Sequence, residues 1–389
     1  MILLRRISVR MGLFVTTACV LYDCRLTEDV REAVLMTIGI QVGDPAPWLV
    51  LPCSDPSGPY HFDKAGGRFV AVLLTHDAAS AAPAIARIAR HPGLADAVSR
   101  LIFTLTPDGA GAGLAPDPAQ PGLFHLFDAD RRAAHAYGYD GHGAYWVVLD
   151  PTLHVVAVLG GSDVETDMVL DLLARVPAFG DRPEAPTIPA IIMSDVFEPA
   201  FCDALITEYH TRGFQHSGVF TETVGGQTAR AMDSGFKRRR DCILEDETLL
   251  DGARARILRR IVPEIGRVFQ SRAGYLERVI VASYDGRERG RFGAHRDNTM
   301  LATEHRQFAI SINLNDQFAG GELVFPEYGP KRFRPPAGGA AVFSCGLLHR
   351  VEPVEQGARF ACLTFAYDET AAALRRRNWD RIQSEKRPA

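Results

Sequence analysis

The spacing of apolar residues changes along the chain and divides it into two regions. From about Ile40 to Ala178, apolar runs of strand length alternate with segments of helical periodicity. Alternation of this kind indicates an α/β or α+β sheet domain, which we assign to residues 39–179. The predicted strands are 69–75, 101–105, 145–149 and 155–159, and the predicted helices are 79–90, 129–137 and 165–175.

A segment rich in proline and charge follows this first domain. Residues 180–188 include Pro183 and Pro186 among charged neighbours. Because proline fixes φ and removes a backbone donor, the segment can sustain neither a helix nor a central strand. We therefore predict an interdomain linker here.

Two amphipathic helices are predicted at the start of the second domain, residues 189–370. The first is capped by Ser194 or Asp195 and runs to about Tyr209, with Glu198 placed to complete a capping box on Asp195. The second spans roughly residues 246–269, and Pro263 should kink or divide it. Their apolar stripes suit packing on the outside of a sheet.

Short strand-like runs separated by glycine and proline turns fill the rest of the second domain. Many short strands with such turns predict a sandwich or a barrel, and so an α+β domain with flanking helices. The runs are 278–284, 307–315, 321–325, 332–334, 340–345, 350–353 and 360–367.

Composition and charge are those of an ordinary globular protein. The chain has 389 residues, of which 47% are hydrophobic and 23% charged, and its formal net charge is -4. It is therefore long enough for two domains, and neither a nucleic acid nor a membrane surface is expected as a partner. Seven cysteines without Cys-x-x-Cys spacing indicate a reducing compartment, and we predict a cytoplasmic protein.

The two ends of the chain are expected to lie outside the domains. Residues 1–38 form a basic and then apolar leader that we expect to be poorly packed. Residues 371–389 form a charged tail.

The candidate chemistry lies in the second domain. His295 and Asp297 are two residues apart, so on an extended chain both side chains point to the same face. His349 would come from a neighbouring strand. Two imidazoles and one carboxylate on one face of Fe(II) leave the opposite positions open for a chelating co-substrate and dioxygen. We predict a non-haem iron site at these three residues.

An arginine follows the distal histidine in the sequence. A 2-oxo acid chelates iron through its 1-carboxylate and 2-oxo group, so its far carboxylate needs a cation, and Arg359 offers a planar, permanently charged fork. The segment 353–358 contains proline and glycine and is predicted to form a hairpin turn. That hairpin would leave His349 and Arg359 about three residues, or roughly 10 Å, out of register.

A second His-x-Asp sequence, His61-Phe62-Asp63, lies in the first domain. No matching histidine and arginine follow it at comparable spacing. We therefore interpret it as a loop without metal.

Residues 279–368 resemble the 2-oxoglutarate- and Fe(II)-dependent dioxygenases, in particular the prolyl 4-hydroxylase-like branch. The similarity rests on the metal residues with Arg359, on the Gly320-Gly321-Glu322-Leu323 run, and on Phe343 before the distal histidine. Tyr284 lies where that branch has a tyrosine that reaches 2-oxoglutarate. Two positions depart from the pattern: Asn313 replaces a second tyrosine on 2-oxoglutarate, and Leu363 replaces a polar residue.

The resemblance implies a double-stranded β-helix, or jelly roll, and a hydroxylase. It implies Fe(II) as metal, 2-oxoglutarate as co-substrate, ascorbate as iron reductant, and a peptidyl or protein side chain as substrate. Tyr284, Asn313 and Arg359 are then the residues expected to face the co-substrate.

The first domain resembles a thioredoxin fold of the peroxiredoxin type. The similarity rests on the 42–47 segment, the strand 69–74 and the Tyr145–Asp150 run. That family has a reactive cysteine at the start of the helix after the first core strand, where the helix N-terminus lowers the thiol pKa. Residues 75–83 contain no cysteine, and Cys53 lies before the strand. We predict a fold without peroxidase activity that serves in substrate docking, homodimerisation or stability.

The basic run Lys237–Arg240 allows two interpretations. It is either a solvated or salt-bridged loop, or a basic rim that guides an acidic substrate to the iron.

Three further functions stay open at this stage. The chain could be a thiol-redox protein centred on its first domain, a metal-binding module without oxidation, or a zinc hydrolase. Arg359 argues against the pure metal-binding module, since such a module needs no cation at that spacing. No obvious general base accompanies the metal residues for hydrolysis.

Overall fold

The computed structural model describes residues 39–385 except 57, 108–113, 186, 223–227 and 232. The expected leader, residues 1–38, therefore lies outside the described residues, as do residues 386–389 of the expected tail. None of the helices in the described part of the chain combines the length and apolarity that crossing a bilayer requires.

The N-terminal region is built on one mixed sheet whose strand order is β5-β4-β3-β6-β7. β3, β4 and β5 run parallel, and β6 and β7 are antiparallel additions. A separate short pair precedes the sheet. The strands are β1 (Val50–Leu51), β2 (Tyr60–His61), β3 (Phe69–Thr75), β4 (Arg100–Thr106), β5 (Leu123–Phe127), β6 (Ala144–Leu149) and β7 (Val155–Gly160).

Apolar residues cover both faces of this sheet. Alternate residues of β6 enter two separate cores, with Trp146 on one side and Val147 on the other. Burial on both faces explains why the central strands read as continuous apolar runs. The helices are α1 (Ala78–Ile88), α2 (Arg132–Ala136) and α3 (Asp163–Arg175).

The predicted strands and helices of the N-terminal region are confirmed, with one difference in length. The strands β1, β2 and β5 were not predicted. The helix predicted over 129–137 is shorter, because Arg131 has a left-handed backbone with a φ of 58° and α2 starts only after it.

The predicted linker packs against the C-terminal region. The guanidinium of Arg182 is buried and donates to the carbonyl of Pro326 at 3.0 Å. The amide of Ala185 donates to the carbonyl of Tyr328 at 3.0 Å. The linker is therefore hydrogen-bonded to the C-terminal region at two points.

The C-terminal region is a sandwich of two antiparallel sheets, and this confirms the jelly-roll type of fold. The nine-stranded sheet has the order β8-β21-β17-β23-β15-β13-β9, with β14 and β18 also paired to β23. The five-stranded sheet has the order β12-β16-β22-β19-β20. Strands β8 to β15 are β8 (Ala190–Met193), β9 (Gln215–His216), β10 (Val219–Glu222), β11 (Thr228–Ala231), β12 (Lys237–Arg238), β13 (Arg240–Ile243), β14 (Tyr275–Leu276) and β15 (Ile280–Asp285). The later strands are β16 (Arg291–His295), β17 (Phe308–Asn313), β18 (Phe318–Gly320), β19 (Leu323–Val324), β20 (Arg332–Phe333), β21 (Ala340–Ser344), β22 (His349–Val351) and β23 (Val354–Tyr367).

Alternation along the nine-stranded sheet divides its side chains between two cores. Val281 lies in the core between the sheet and the helices. Tyr284 lies in the core between the two sheets, with Phe325 and Phe343. These helices cover the outer face of the large sheet, as the apolar stripes predicted. They are α4 (Pro199–Arg212), α5 (Glu247–Arg260) and α6 (Val262–Phe269). A further helix, α7 (Glu369–Glu385), packs Ala371 and Ala372 against Tyr367.

The predicted cap of the first helix is wrong. The helix α4 begins at Pro199 after Glu198, and Asp195 lies in a loop with a φ of 56°. The amides of Val196 and Phe197 both donate to the carbonyl of Gly338 at 2.9 Å, which holds the loop outside the helix. Proline at the first helical position sets the start instead. The predicted division of the second helix near Pro263 is confirmed, since α5 ends at Arg260 and α6 starts at Val262.

Two predictions near the end of the chain are also corrected. The predicted hairpin over 353–358 does not form: His349 lies in β22 of the five-stranded sheet, whereas Arg359 lies in β23 of the nine-stranded sheet. The chain crosses between the sheets at Pro353, since β22 ends at Val351 and β23 starts at Val354 in the other sheet. The expected tail is helical from Glu369 to Glu385.

Candidate metal centre and co-substrate pocket

The three predicted metal residues meet at one end of the sandwich. β16 ends at His295 and β22 starts at His349, and the two residues are opposite each other in the strand register. Asp297 follows the end of β16, and its amide donates to the carbonyl of Cys345 at 2.9 Å. One ligand atom from each residue lies within 4.8 Å of the other two. One oxygen of Asp297 lies 3.4 Å from Nε2 of His295, and the other lies 3.4 Å from Nε2 of His349.

Hydrogen bonds orient both imidazoles toward the shared centre. Nδ1 of His295 lies 2.8 Å from the carbonyl oxygen of Gly293, and Nδ1 of His349 lies 3.0 Å from that of Leu347. A carbonyl oxygen accepts only, so each Nδ1 carries the proton and each Nε2 keeps its lone pair for a metal. A histidine that binds a metal through Nε2 usually donates its Nδ1–H to such an acceptor, which fixes the orientation of the ring.

Aromatic rings fix the imidazole planes. The ring of Phe292 stacks on that of His295 with centroids 3.6 Å apart. The ring of Phe343 meets that of His349 edge-on at 4.7 Å. Phe343 therefore lies against the distal histidine, as the resemblance implies.

The electrostatics favour the protonation states that a metal needs. Burial, followed by the neighbouring His295, lowers the pKa of His349 to about 4, so this imidazole is neutral at pH 7. Burial acts to raise the pKa of Asp297, but His349, His295 and Arg306 hold that pKa well below its usual range. The neutral imidazole of His349 and the ionised carboxylate of Asp297 are the forms that bind a metal ion such as Fe(II).

Arg359 is a buried cation that makes no direct ion pair with a carboxylate of the described residues. It lies opposite Tyr284 in the register of β15 and β23, and it is 4% exposed. Among the residues that the structure describes, no carboxylate oxygen lies within 4.0 Å of its guanidinium. Burial lowers the pKa of Arg359. A buried charge of this kind is costly unless an anion pairs with it, so the pocket fits the far carboxylate of a diacid.

Neutral side chains hold that guanidinium in place. Nε of Arg359 donates to Oδ1 of Asn313 at 2.9 Å, and Nη2 donates to Oγ of Ser311 at 3.2 Å. The amide nitrogen of Asn313 donates to the carbonyl of Pro335 at 2.7 Å. Both ends of the Asn313 amide are therefore engaged within the protein.

A cavity of about 630 Å³ opens beside the metal residues. Its wall includes His295 and Asp297, whereas His349, Tyr284 and Arg359 lie outside it, deeper between the sheets. It has the size of a small-molecule or side-chain pocket. The cavity therefore reaches two of the metal residues and does not include Arg359.

The basic run Lys237–Arg240 belongs to paired strands rather than to a solvated loop. The side chains of Lys237 and Arg239 line the cavity. Arg239 is paired to Asp241 through two contacts of 2.7 and 2.8 Å, and Nζ of Lys237 lies 4.3 Å from the ring centroid of Phe292. Strand alternation turns Arg238 away from the cavity wall.

A buried ionic cluster supports the segment after the metal residues, and sequence reasoning missed it. Glu277 accepts from Arg306 at 2.8 and 3.0 Å and lies 2.7 Å from Nε2 of His305. Nη1 of Arg306 donates to the backbone carbonyl of Asp297 at 3.5 Å. Glu277 lies 28 residues before His305 and 29 before Arg306, so only the fold brings the carboxylate to these two neighbours.

The second His-x-Asp sequence has a role that sequence reasoning also missed. His61 ends β2, and Asp63 lies in a short 3-10 turn, Phe62–Ala65. The carboxylate of Asp63 lies 3.9 Å from Nε of Arg296. Arg296 lies between the metal residues His295 and Asp297 in the sequence. In the part of the chain that the structure describes, His295, Asp297 and His349 form the one candidate metal cluster.

The chain is similar to several known proteins. No protein-family model matches it. A PKHD-type hydroxylase of Maricaulis maris is 28% identical over 158 residues, which cover 39% of this chain and 68% of the relative. A PKHD-type hydroxylase of Synechococcus elongatus is 28% identical over 172 residues, which cover 41% of this chain and 74% of the relative.

Solved structures also overlap with part of the chain. A prolyl-4-hydroxylase of Pseudomonas putida has 15% sequence identity and a TM-score of 0.36, and covers 47% of this chain and 94% of its own. A 2OG-Fe(II) oxygenase family protein of Burkholderia pseudomallei has 20% identity and a TM-score of 0.33, and covers 46% of this chain and 85% of its own.

The metal triad and the hydroxylase relatives agree on the class of enzyme. The donor set is the one that non-haem iron oxygenases use. The chain is a 2-oxoglutarate-dependent dioxygenase, an oxidoreductase that uses Fe(II) and 2-oxoglutarate.

Proposed function

We propose that residues 189–370 form a dioxygenase domain that hydroxylates a C–H bond of a peptidyl or protein side chain. His295, Asp297 and His349 hold Fe(II), and Arg359 binds the far carboxylate of 2-oxoglutarate. When bound, Fe(II) and 2-oxoglutarate supply the activation of dioxygen, of which one atom enters succinate and the other the substrate, with release of carbon dioxide.

The observation that carries the proposal is the buried Arg359. The Arg359 side chain is 4% exposed, and among the described residues no carboxylate oxygen lies within 4.0 Å of its guanidinium. Binding of an anion would offset the cost of burying this charge. The jelly roll places this cation between the sheets, on the same interior as Tyr284. A plain metal-binding module has no use for it.

We assign Asn313 to positioning rather than to direct contact with 2-oxoglutarate. Its oxygen accepts from Arg359 and its nitrogen donates to Pro335. An amide with both ends engaged fixes the plane of the guanidinium fork. Tyr284 keeps its proposed place beside the co-substrate, since its ring lies 5.3 Å from the guanidinium carbon of Arg359.

The substrate cavity suits a side chain presented on a backbone. The cavity of about 630 Å³ is bounded by loops of both regions and reaches His295 and Asp297. The relatives are named hydroxylases, and one structural neighbour is described in complex with a peptide of hypoxia inducible factor. A peptide is therefore the first substrate class to test.

The N-terminal region is proposed to be a thioredoxin-like domain without peroxidase activity. Burial raises the pKa of Cys53, and its Sγ donates to the carbonyl of Gly58 at 3.2 Å. A thiol with a raised pKa is a poor nucleophile. The thiol-redox alternative gains nothing from this environment. Ascorbate as reductant, homodimerisation and a cytoplasmic location stay predictions.

The test is a coupled assay. The purified protein with Fe(II), 2-oxoglutarate, ascorbate and dioxygen is incubated with a library of peptides, and succinate and peptide masses are measured. We expect a peptide to stimulate succinate release and to gain one oxygen atom in equal amounts. Succinate that forms without any oxygenated peptide across libraries containing all residue types would contradict a peptidyl substrate.

A further inference from the structure

Arg296 connects the metal site to the N-terminal region. Its side chain, between two metal ligands in sequence, points away from them and is 2% exposed. The guanidinium donates to both oxygens of Glu327, at 2.7 and 3.2 Å, and to the carbonyl of Gly346. On the N-terminal side, Nη2 donates to the backbone carbonyl of Asp63 at 3.4 Å, and Nε lies 3.9 Å from the Asp63 carboxylate.

Glu327 extends this connection to the third metal ligand. One of its oxygens accepts from the amide of Leu348 at 3.2 Å, directly before His349. Arg296 is the chain neighbour of His295 and Asp297, and Glu327 contacts Leu348, the chain neighbour of His349. Trp48 of the N-terminal region covers the pair, with its ring centroid 4.7 Å from the guanidinium carbon.

The N-terminal turn, residues 62–67, fits closely against this pair. Gly67 has a φ of 78°, and a Cβ placed on it would lie 2.4 Å from Cβ of Pro326. A Cβ on Gly66 would lie 2.9 Å from an oxygen of Glu327 and 3.2 Å from Nη2 of Arg296. Only glycines allow the turn to come this near.

The same turn forms part of the cavity. Asp63 and Lys64 line the cavity together with His295 and Asp297. The Lys64 side chain is exposed there. A substrate that enters the cavity therefore contacts residues of both regions.

We propose that the N-terminal region is a working part of the oxygenase site. Its turn 62–67 positions the metal ligands through Arg296 and Glu327, and it supplies one wall of the substrate cavity. Asp63 is a positioning residue in this account, and Lys64 a residue that contacts substrate. The inference rests on the proposed metal site and assigns a role to the N-terminal region.

The test uses the full-length protein and matched glycine variants. Gly67→Ala places a methyl group against Pro326, whereas Gly93→Ala imposes a similar backbone cost at a φ of 76° with nothing within 4 Å. Asp63→Asn removes the charge that faces Arg296, and Asp203→Asn removes an exposed charge on α4. Mn(II) affinity is measured from the electron paramagnetic resonance signal of the unbound ion.

We expect Gly67→Ala and Asp63→Asn to weaken Mn(II) binding, by up to the roughly tenfold loss that follows removal of a direct hydrogen bond to a metal ligand. The two controls should bind Mn(II) as the wild type does. Equal Mn(II) affinities for Gly67→Ala and Gly93→Ala would overturn the inference.

A second measurement needs no metal. Glu184 lies in the linker, two residues from the buried Arg182, and a glutamate-specific protease should cleave after it faster in Gly67→Ala than in Gly93→Ala. A wild type that binds no Mn(II) would contradict the proposed function. The docking of the turn would then be overturned only if cleavage after Glu184 were also unchanged.

Discussion

Arg359 and Tyr284 face each other across β23 and β15, with the guanidinium carbon 5.3 Å from the tyrosine ring centroid. The ring supplies a favourable cation–π contact while it leaves the guanidinium without a carboxylate partner. The pocket is therefore organised around a cation whose counter-ion arrives with the co-substrate.

Asn313 should control the affinity for 2-oxoglutarate and not for iron. Asn313→Asp places a carboxylate 2.9 Å from Nε of Arg359, where it neutralises the cation that 2-oxoglutarate needs. We expect the apparent 2-oxoglutarate affinity to fall by about tenfold or more, with Fe(II) affinity unchanged. A tenfold fall corresponds to a loss of about 1.4 kcal/mol of binding free energy.

The check is an anaerobic titration of the Fe(II) protein with 2-oxoglutarate. Asn313→Ala is the comparison, because it leaves Nε of Arg359 without its acceptor but adds no charge. An Asn313→Asp protein that binds 2-oxoglutarate as the wild type does would show that the arginine pocket is not the co-substrate pocket.

Glu277 should make stability depend on pH in the acid range. Burial acts to raise its pKa, but His305 and Arg306 lower the pKa to about 2. A lowered pKa in the folded state means that the stabilisation is complete above the unfolded value of about 4.3 and is lost as pH falls toward about 2. The shift corresponds to about 3 kcal/mol.

The measurement is urea unfolding of the wild type and Glu277→Gln at pH 7 and at several values below pH 4.5. The free energy of unfolding of the wild type should exceed that of Glu277→Gln by the largest amount at pH 7. This difference should decrease as the pH falls below 4.5. A difference that does not change with pH would contradict the role of the ionised carboxylate.

Cys53 should have no part in peroxide reduction. Its thiol pKa is raised by burial, and no cysteine lies at the start of α1. We expect no hydrogen peroxide turnover above that of Cys53→Ser in an assay with dithiothreitol. A turnover that disappears in Cys53→Ser would restore the thiol-redox function.

The residues of the metal centre were predictable because chemistry restricts their types. Fe(II) needs imidazole and carboxylate donors, and the spacing of His295 and Asp297 already puts both on one face of a strand. The sandwich was predictable from the short strands, and the outer helices from their apolar stripes. These features depend on local sequence.

The remaining features depend on contacts between distant residues. No local pattern shows that the chain crosses between sheets at Pro353, or that Gly338 holds residues 196 and 197 out of α4. The sequence analysis assigned no role to Arg296, because its partners Asp63 and Glu327 lie 233 and 31 residues away. The strand β5 was missed although its apolar run of five residues has the length of a buried strand.

The central claim is that one pocket holds Fe(II) and 2-oxoglutarate together. The most direct test adds Fe(II) and 2-oxoglutarate without oxygen to the metal-free protein and records the weak visible absorption of the chelate. His349→Ala removes a metal ligand, Arg359→Ala removes the far cation, and Arg175→Ala, at an arginine side chain that is 81% exposed, is the control.

The account predicts the band in the wild type and in Arg175→Ala. It predicts loss of the band in His349→Ala and, in Arg359→Ala, a band that needs at least about tenfold more 2-oxoglutarate, as expected for the loss of a charge-assisted contact. Iron binding without a band in the wild type, or a wild-type response in Arg359→Ala, would contradict it.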